Sequence, residues 1–130
     1  MTQVLKNRKG VTLVELLAVI VIMGIIAAIA VPAIGGLITN AREKAVVGNL
    51  TSLTEAARVY AIANNSTTEV TVTGAQIETA GYITLPDGVG YEGVSFKIQN
   101  GIIKEYPTSA TITGNGAGTY TWNGTVWAKS

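Results

Sequence analysis

The sequence predicts an α+β protein: one long N-terminal helix, apolar in its first half and amphipathic in its second, packed against a small antiparallel β-sheet. Three observations predict it. No charged residue occurs between Glu15 and Arg42. Val46, Leu50, Leu53, Ala57 and Tyr60 recur at spacings of four and three, which puts them on one helical face. Beyond Val94, short alternating stretches are punctuated by Asn-Gly turns.

The apolar half comes first. An α-helix rises about 1.5 Å per residue, so about 20 apolar residues cross a hydrocarbon core of about 30 Å. Leu13 to Ile38 is long enough to do so. Gly24 and Pro32 are expected to interrupt this helix, because proline lacks an amide donor and crowds the carbonyl four residues earlier, at Ala28. Gly35-Gly36 could end it, but no turn or cap follows, so the helix is expected to run from about Leu13 to Ala63, about 75 Å if straight. Arg42, Glu43, Asn49, Ser52 and Glu55 lie off the apolar face of its second half.

Glu15 is out of place in such a helix. A carboxylate near the start of a spanning segment costs several kcal/mol unless it is paired, protonated or drawn to the interface. Either it sits solvated among the headgroups or it awaits a cation from another chain. The residues around it bear on that choice. Met1 to Gly10 carries Lys6, Arg8 and Lys9 and no acid, and Lys9-Gly10-Val11-Thr12-Leu13-Val14-Glu15 leads directly into the apolar run.

This block resembles the class III signal of type IV prepilins and pseudopilins. The resemblance implies a pilin fold and a bacterial prepilin peptidase that cuts after Gly10. It also implies N-methylation of the new first residue, Val11, where the family usually carries phenylalanine. Glu15 then becomes the fifth mature residue and pairs with the terminal amine of a neighbouring subunit, setting axial register. Such an amine is mostly protonated near neutral pH, and opposite charges in a low dielectric depend on each other strongly. The implied domains are a cleaved leader (1–10), a transmembrane and filament-core helix (11–38) and a globular head (39–130). In the family, glycine and proline at the places of Gly24 and Pro32 let the helix melt or stretch as subunits pass from membrane to filament. The implied partners are further copies of the subunit, the peptidase and a membrane assembly machinery. The implied locations are the cell membrane and an extracellular filament.

A competing signal is present. Ala28-Ile29-Ala30 has the form of an ordinary signal-peptidase site, but the stretch from Val11 to Ala27 is too long for its apolar region and Glu15 would interrupt the start.

Composition bounds the rest. Removing residues 1–10 leaves six basic against eight acidic residues, a net charge of −2, which gives no electrostatic case for nucleic-acid binding. The chain has no cysteine and no histidine, so it lacks disulfides, thiolate metal sites and the commonest catalytic base. Asp87, Glu92 and Glu105 are scattered, and Asp87-Gly88 lacks the further oxygen ligands of a calcium loop. The glycine-rich run from Gly114 to Gly118 has no following helix or lysine to make a phosphate loop and reads as a flexible turn. No enzyme, metal or cofactor is expected.

In the head, Glu69–Thr73 reads as a strand. Thr73 with Gln76 makes a capping-box start for a short helix over 74–80, stopped by Gly81. Residues 82–91 read as loop. A two-residue turn at Asn100-Gly101 would oppose Lys97 to Lys104, so a three-residue loop pairing Ile98 with Ile102 is expected, with Val94, Phe96, Ile102 and Tyr106 on one face. A turn at Asn123-Gly124 is expected to pair Trp122 with Thr125 and Tyr120 with Trp127, giving an aromatic face against the helix. The β-rich C-terminal part, without an acidic calcium cluster, favours a pilus subunit over a competence or secretion pseudopilin. A monomeric membrane-anchored or secreted binding domain is the alternative of another class.

Overall fold

The computed structural model describes residues 12–91 and 93–130 in full and residues 2–11 by their backbone alone. Helix α1 spans Thr2–Asn64 and is followed by β1 (Val70–Thr73), α2 (Gly74–Thr79), β2 (Val89–Gly90) and β3 (Ser95–Gln99). Then come β4 (Ile102–Glu105), β5 (Ser109–Gly114), β6 (Gly118–Trp122) and β7 (Trp127–Lys129). The architecture is α+β. Two compact units divide the chain, Met1–Ile38 and Thr39–Ser130.

α1 ends within a residue of the expected position and begins earlier, since no proline precedes Leu13 to stop it. It also continues through Pro32, which lies inside the helix. One proline removes one backbone hydrogen bond, and the turns on either side keep theirs.

In the second unit α1 forms one wall of the core. Val46, Leu50, Leu53 and Ala57 are buried and Tyr60 packs half-buried beside them, as the spacing requires. Ala56, Ala61 and Thr54 are buried as well. Each large side chain withdrawn from water here contributes about 1.5–3 kcal/mol.

The opposite wall is two antiparallel sheets rather than one, ordered β1-β3-β4 and β2-β5-β6-β7. The pairing stops between β4 and β5 at Tyr106-Pro107-Thr108, where proline offers no amide to continue a ladder. Inward residues alternate along the strands: Val72, Phe96 and Ile98 from the first sheet; Ala110, Ile112, Tyr120 and Trp127 from the second.

α2 has the expected capping box, with Thr73 accepting from the Gln76 amide and Gln76 accepting from the Thr73 amide. It closes as a Schellman turn, the Gly81 and Tyr82 amides donating to Glu78 and Ile77 carbonyls at 2.9 and 3.2 Å.

Both hairpins differ from expectation. The β3–β4 turn is the two-residue one: Gln99 faces Ile102, and Asn100 (φ 53°) and Gly101 (φ 75°) take the left-handed backbone this turn demands. The Lys97–Lys104 clash is avoided by a register shift between Lys97 and Ile98, which sets Lys97 opposite Glu105. Ile103 therefore packs inward, and Ile102 is 53% exposed. The β6–β7 turn is longer than expected and pairs Trp122 with Trp127 and Tyr120 with Lys129. The Asn123 side-chain oxygen organises it, accepting from the Thr125 and Val126 amides, both at 2.9 Å. That shift is two residues, so the aromatic face survives; a shift of one would have inverted it. Residues 82–91 also contain β2, which pairs with the end of β5, where a Cβ on Gly114 would lie 1.8 Å from the Gly88 carbonyl oxygen. The turn from Gly114 to Gly118 is pinned: the Ala117 amide donates to Gly114 and the Tyr120 hydroxyl to the Gly116 carbonyl.

Candidate functional site

The feature that stands apart chemically is the apolar run of the first unit. Every residue from Thr12 to Ile38 is exposed except half-buried Ala30. Leu13 and Ile29 are 70% and 71% exposed, and the large side chains between them are all more than half exposed. Soluble chains rarely show contiguous apolar surface on this scale. By length and composition this stretch of α1 can cross a membrane. Among the described residues it is left open to its surroundings.

Glu15 is exposed on this helix, and among the described residues it makes no ion pair. Gly10 and Val11, the expected cleavage and methylation residues, lie outside the fully described residues. At Gly24 a side chain would meet nothing within 4 Å, and Pro32 sits within the helix. Glu15, Gly24 and Pro32 are strung along one helix and are not gathered into a pocket.

The head offers no catalytic constellation among its described residues, and no group of three acidic, histidine or cysteine ligands. Glu92 lies outside the described residues. Glu105 is engaged by Lys97 at 2.5 Å on the exposed face of the first sheet. That contact raises the Lys97 pKa, first through its hydrogen bond to Glu105. The Lys129 ammonium, 2.6 Å from Glu43, is raised likewise. Arg58 is raised chiefly by its hydrogen bond to the Tyr106 hydroxyl. Burial raises the pKa of Tyr91 and Tyr120. These groups hold the head together or sit on its surface.

Residues 5–31 match the family of the prokaryotic N-terminal methylation motif. The chain carries that signal. It is the class III signal peptide of type IV prepilins and indicates a pilin-like or pseudopilin-like protein, and the apolar helix that carries it is long enough to cross a membrane. No curated protein and no solved structure matches the chain.

The head contains interactions that sequence reasoning did not find. The Trp127 indole donates to the Thr54 hydroxyl at 3.0 Å, and the Asn49 amide donates to the Tyr91 hydroxyl at 3.0 Å. A groove of about 320 Å3 is lined by Asn40, Glu43, Lys44, Val47 and Lys129. Lys129 and Glu43 are 86 positions apart, so no spacing signal could have paired them.

Proposed function

We infer that the chain is a structural subunit of a type IV pilus. It inserts in the membrane as a prepilin, is cleaved after Gly10 and polymerises with copies of itself through residues 11–38. The observation that carries this reading is the coincidence of three features in one segment. A basic leader ends in Lys9-Gly10, an acid stands five residues on, and an apolar helix follows whose large side chains are exposed. An apolar surface of that length needs a bilayer or other copies of itself as cover. The methylation motif over residues 5–31 supports the same processing.

In the assembled filament the protonated Val11 amine of one subunit meets the Glu15 carboxylate of its neighbour. Either charge alone is costly in an apolar core; together they set the axial step. Gly24 and Pro32 mark the part of α1 that can lose helical hydrogen bonds during transfer from bilayer to filament. The head, with its own core, forms the filament's outer surface.

The test is the N-terminus of the mature protein. Mass-spectrometric sequencing should find Val11 first, with or without a methyl group, and Gly10→Val should leave an uncut precursor in the membrane. A mature chain beginning at Met1 or Val31 would instead identify an anchored or secreted monomer.

A further inference from the structure

The groove beside Lys129 is not used by the assembly reading, and its position and charges are informative. Its helical lining, Asn40, Glu43, Lys44 and Val47, belongs to the turns directly after the apolar run. As a helix, Leu13–Ile38 is about 39 Å long, against a hydrocarbon core of about 30 Å. With the tilt of about 20° common in membrane helices, the residues after Ile38 emerge among the outer headgroups. Lysine stems reach back toward that layer while keeping their ammonium groups wet.

The groove has both signs of charge. Glu43 and Lys129 form an ion pair with side chains 28% and 36% exposed, open to a competing ligand. Lys44 is exposed and makes no ion pair among the described residues. Val47 supplies an apolar patch beside them. A phosphate could accept from Lys44 and Lys129, and an ammonium on the same molecule could donate to Glu43 and the Asn40 carbonyl. A primary ammonium has three N–H donors for this and a quaternary one has none. We propose that this groove binds the zwitterionic headgroup of a phosphatidylethanolamine-type lipid while the subunit resides in the membrane. The proposal rests on the membrane insertion inferred above.

The test uses the full chain in nanodiscs of phosphatidylcholine containing an equal share of phosphatidylethanolamine or phosphatidylglycerol, with co-purifying lipid read by native mass spectrometry. The wild type should retain phosphatidylethanolamine over phosphatidylcholine by about fivefold. Lys44→Gln and Glu43→Gln should each abolish the preference, and Arg42→Gln, outside the groove, should keep it. Equal retention of all lipids, or a preference unchanged in Lys44→Gln, would overturn the proposal. So would preferential retention of phosphatidylglycerol, which needs no carboxylate. Soluble phosphoethanolamine retained by the chain in pure phosphatidylcholine would assign the groove to a free metabolite and remove the lipid. Failure of the chain to enter nanodiscs at all would overturn membrane insertion itself, a separate outcome from lack of lipid preference.

Discussion

The two halves of α1 are built from the same helix and obey opposite rules. Between Thr12 and Ile38 apolar residues occupy every face and nearly all stay exposed, whereas beyond Thr39 the helix buries one stripe and keeps polar residues elsewhere. The second half is satisfied within its own chain, since Leu50 and Leu53 have no exposed surface. The first half has no such cover among the described residues. One helix thus holds a domain together at one end and keeps its apolar surface exposed at the other.

The contrast is broken most directly at Glu15. If the first half works by meeting other subunits, Glu15→Leu removes the partner of an incoming amine. An unpaired buried charge costs on the order of 3–5 kcal/mol, at least two decades in the equilibrium for each subunit added. Electron microscopy of cells carrying only that variant should show few or no filaments, while the protein remains cleaved and membrane-bound. Glu15→Asp should be intermediate. Wild-type filament numbers in Glu15→Leu would leave the acid a solvated headgroup neighbour.

Stability should respond in the opposite half. The fragment 39–130 is expected to unfold cooperatively by itself, because the described core lies within it. In that fragment Leu53→Ala should cost about 2–5 kcal/mol by denaturant titration. Leu17→Ala in the full chain, a change on the exposed run, should leave the head's midpoint where it was. A fragment without a cooperative transition would show that the head needs the apolar half after all.

Two threonines sharpen the comparison within the second half. Thr51 and Thr54 each donate to the carbonyl four residues earlier at 2.8 Å, but only Thr54 also receives the Trp127 indole. Thr54→Val strands a buried N–H and should cost about 1–3 kcal/mol. Thr51→Val, on the exposed side, should be nearly neutral in the same titration.

The smallest effect is alkaline. Tyr91 and Tyr120 have pKa values raised by burial in the folded head. A raised value means the folded state holds its proton longer than the unfolded chain. Their contribution is whole below the ordinary tyrosine value of about 10 and is lost as pH rises from there through the folded values. Lys97 and Lys129, raised by their carboxylate partners, act in the same direction, though as exposed pairs they matter little. Calorimetry should show the Tm of the head falling modestly above that pH, with no matching change in the helical signal of the apolar half. An unchanged Tm would mean that the tyrosine hydroxyls are freely solvated.

The long helix, its switch from all-round to one-sided apolarity, its packing stripe and the capped α2 are decided locally. Hydrophobic period, helix caps and unbroken chain length act within a few residues of each other, so the order of residues is enough. The processing signal is local in the same way, and Lys9-Gly10 with Glu15 could be read before any fold was known. Sheet register could not. Like charge disfavours a pairing of Lys97 with Lys104, yet the remedy is a bulge that brings Lys97 to Glu105, which no rule of turn length anticipates. The four residues between Trp122 and Trp127 follow from Asn123 capping two amides, an outcome that competes with the shorter turn at nearly equal local cost. The division into two sheets, the Thr54–Trp127 bond and the Lys129–Glu43 pair join residues far apart in the chain. Only packing both sheets on one helix face decides such contacts, because their free energy arises after the intervening loops have closed.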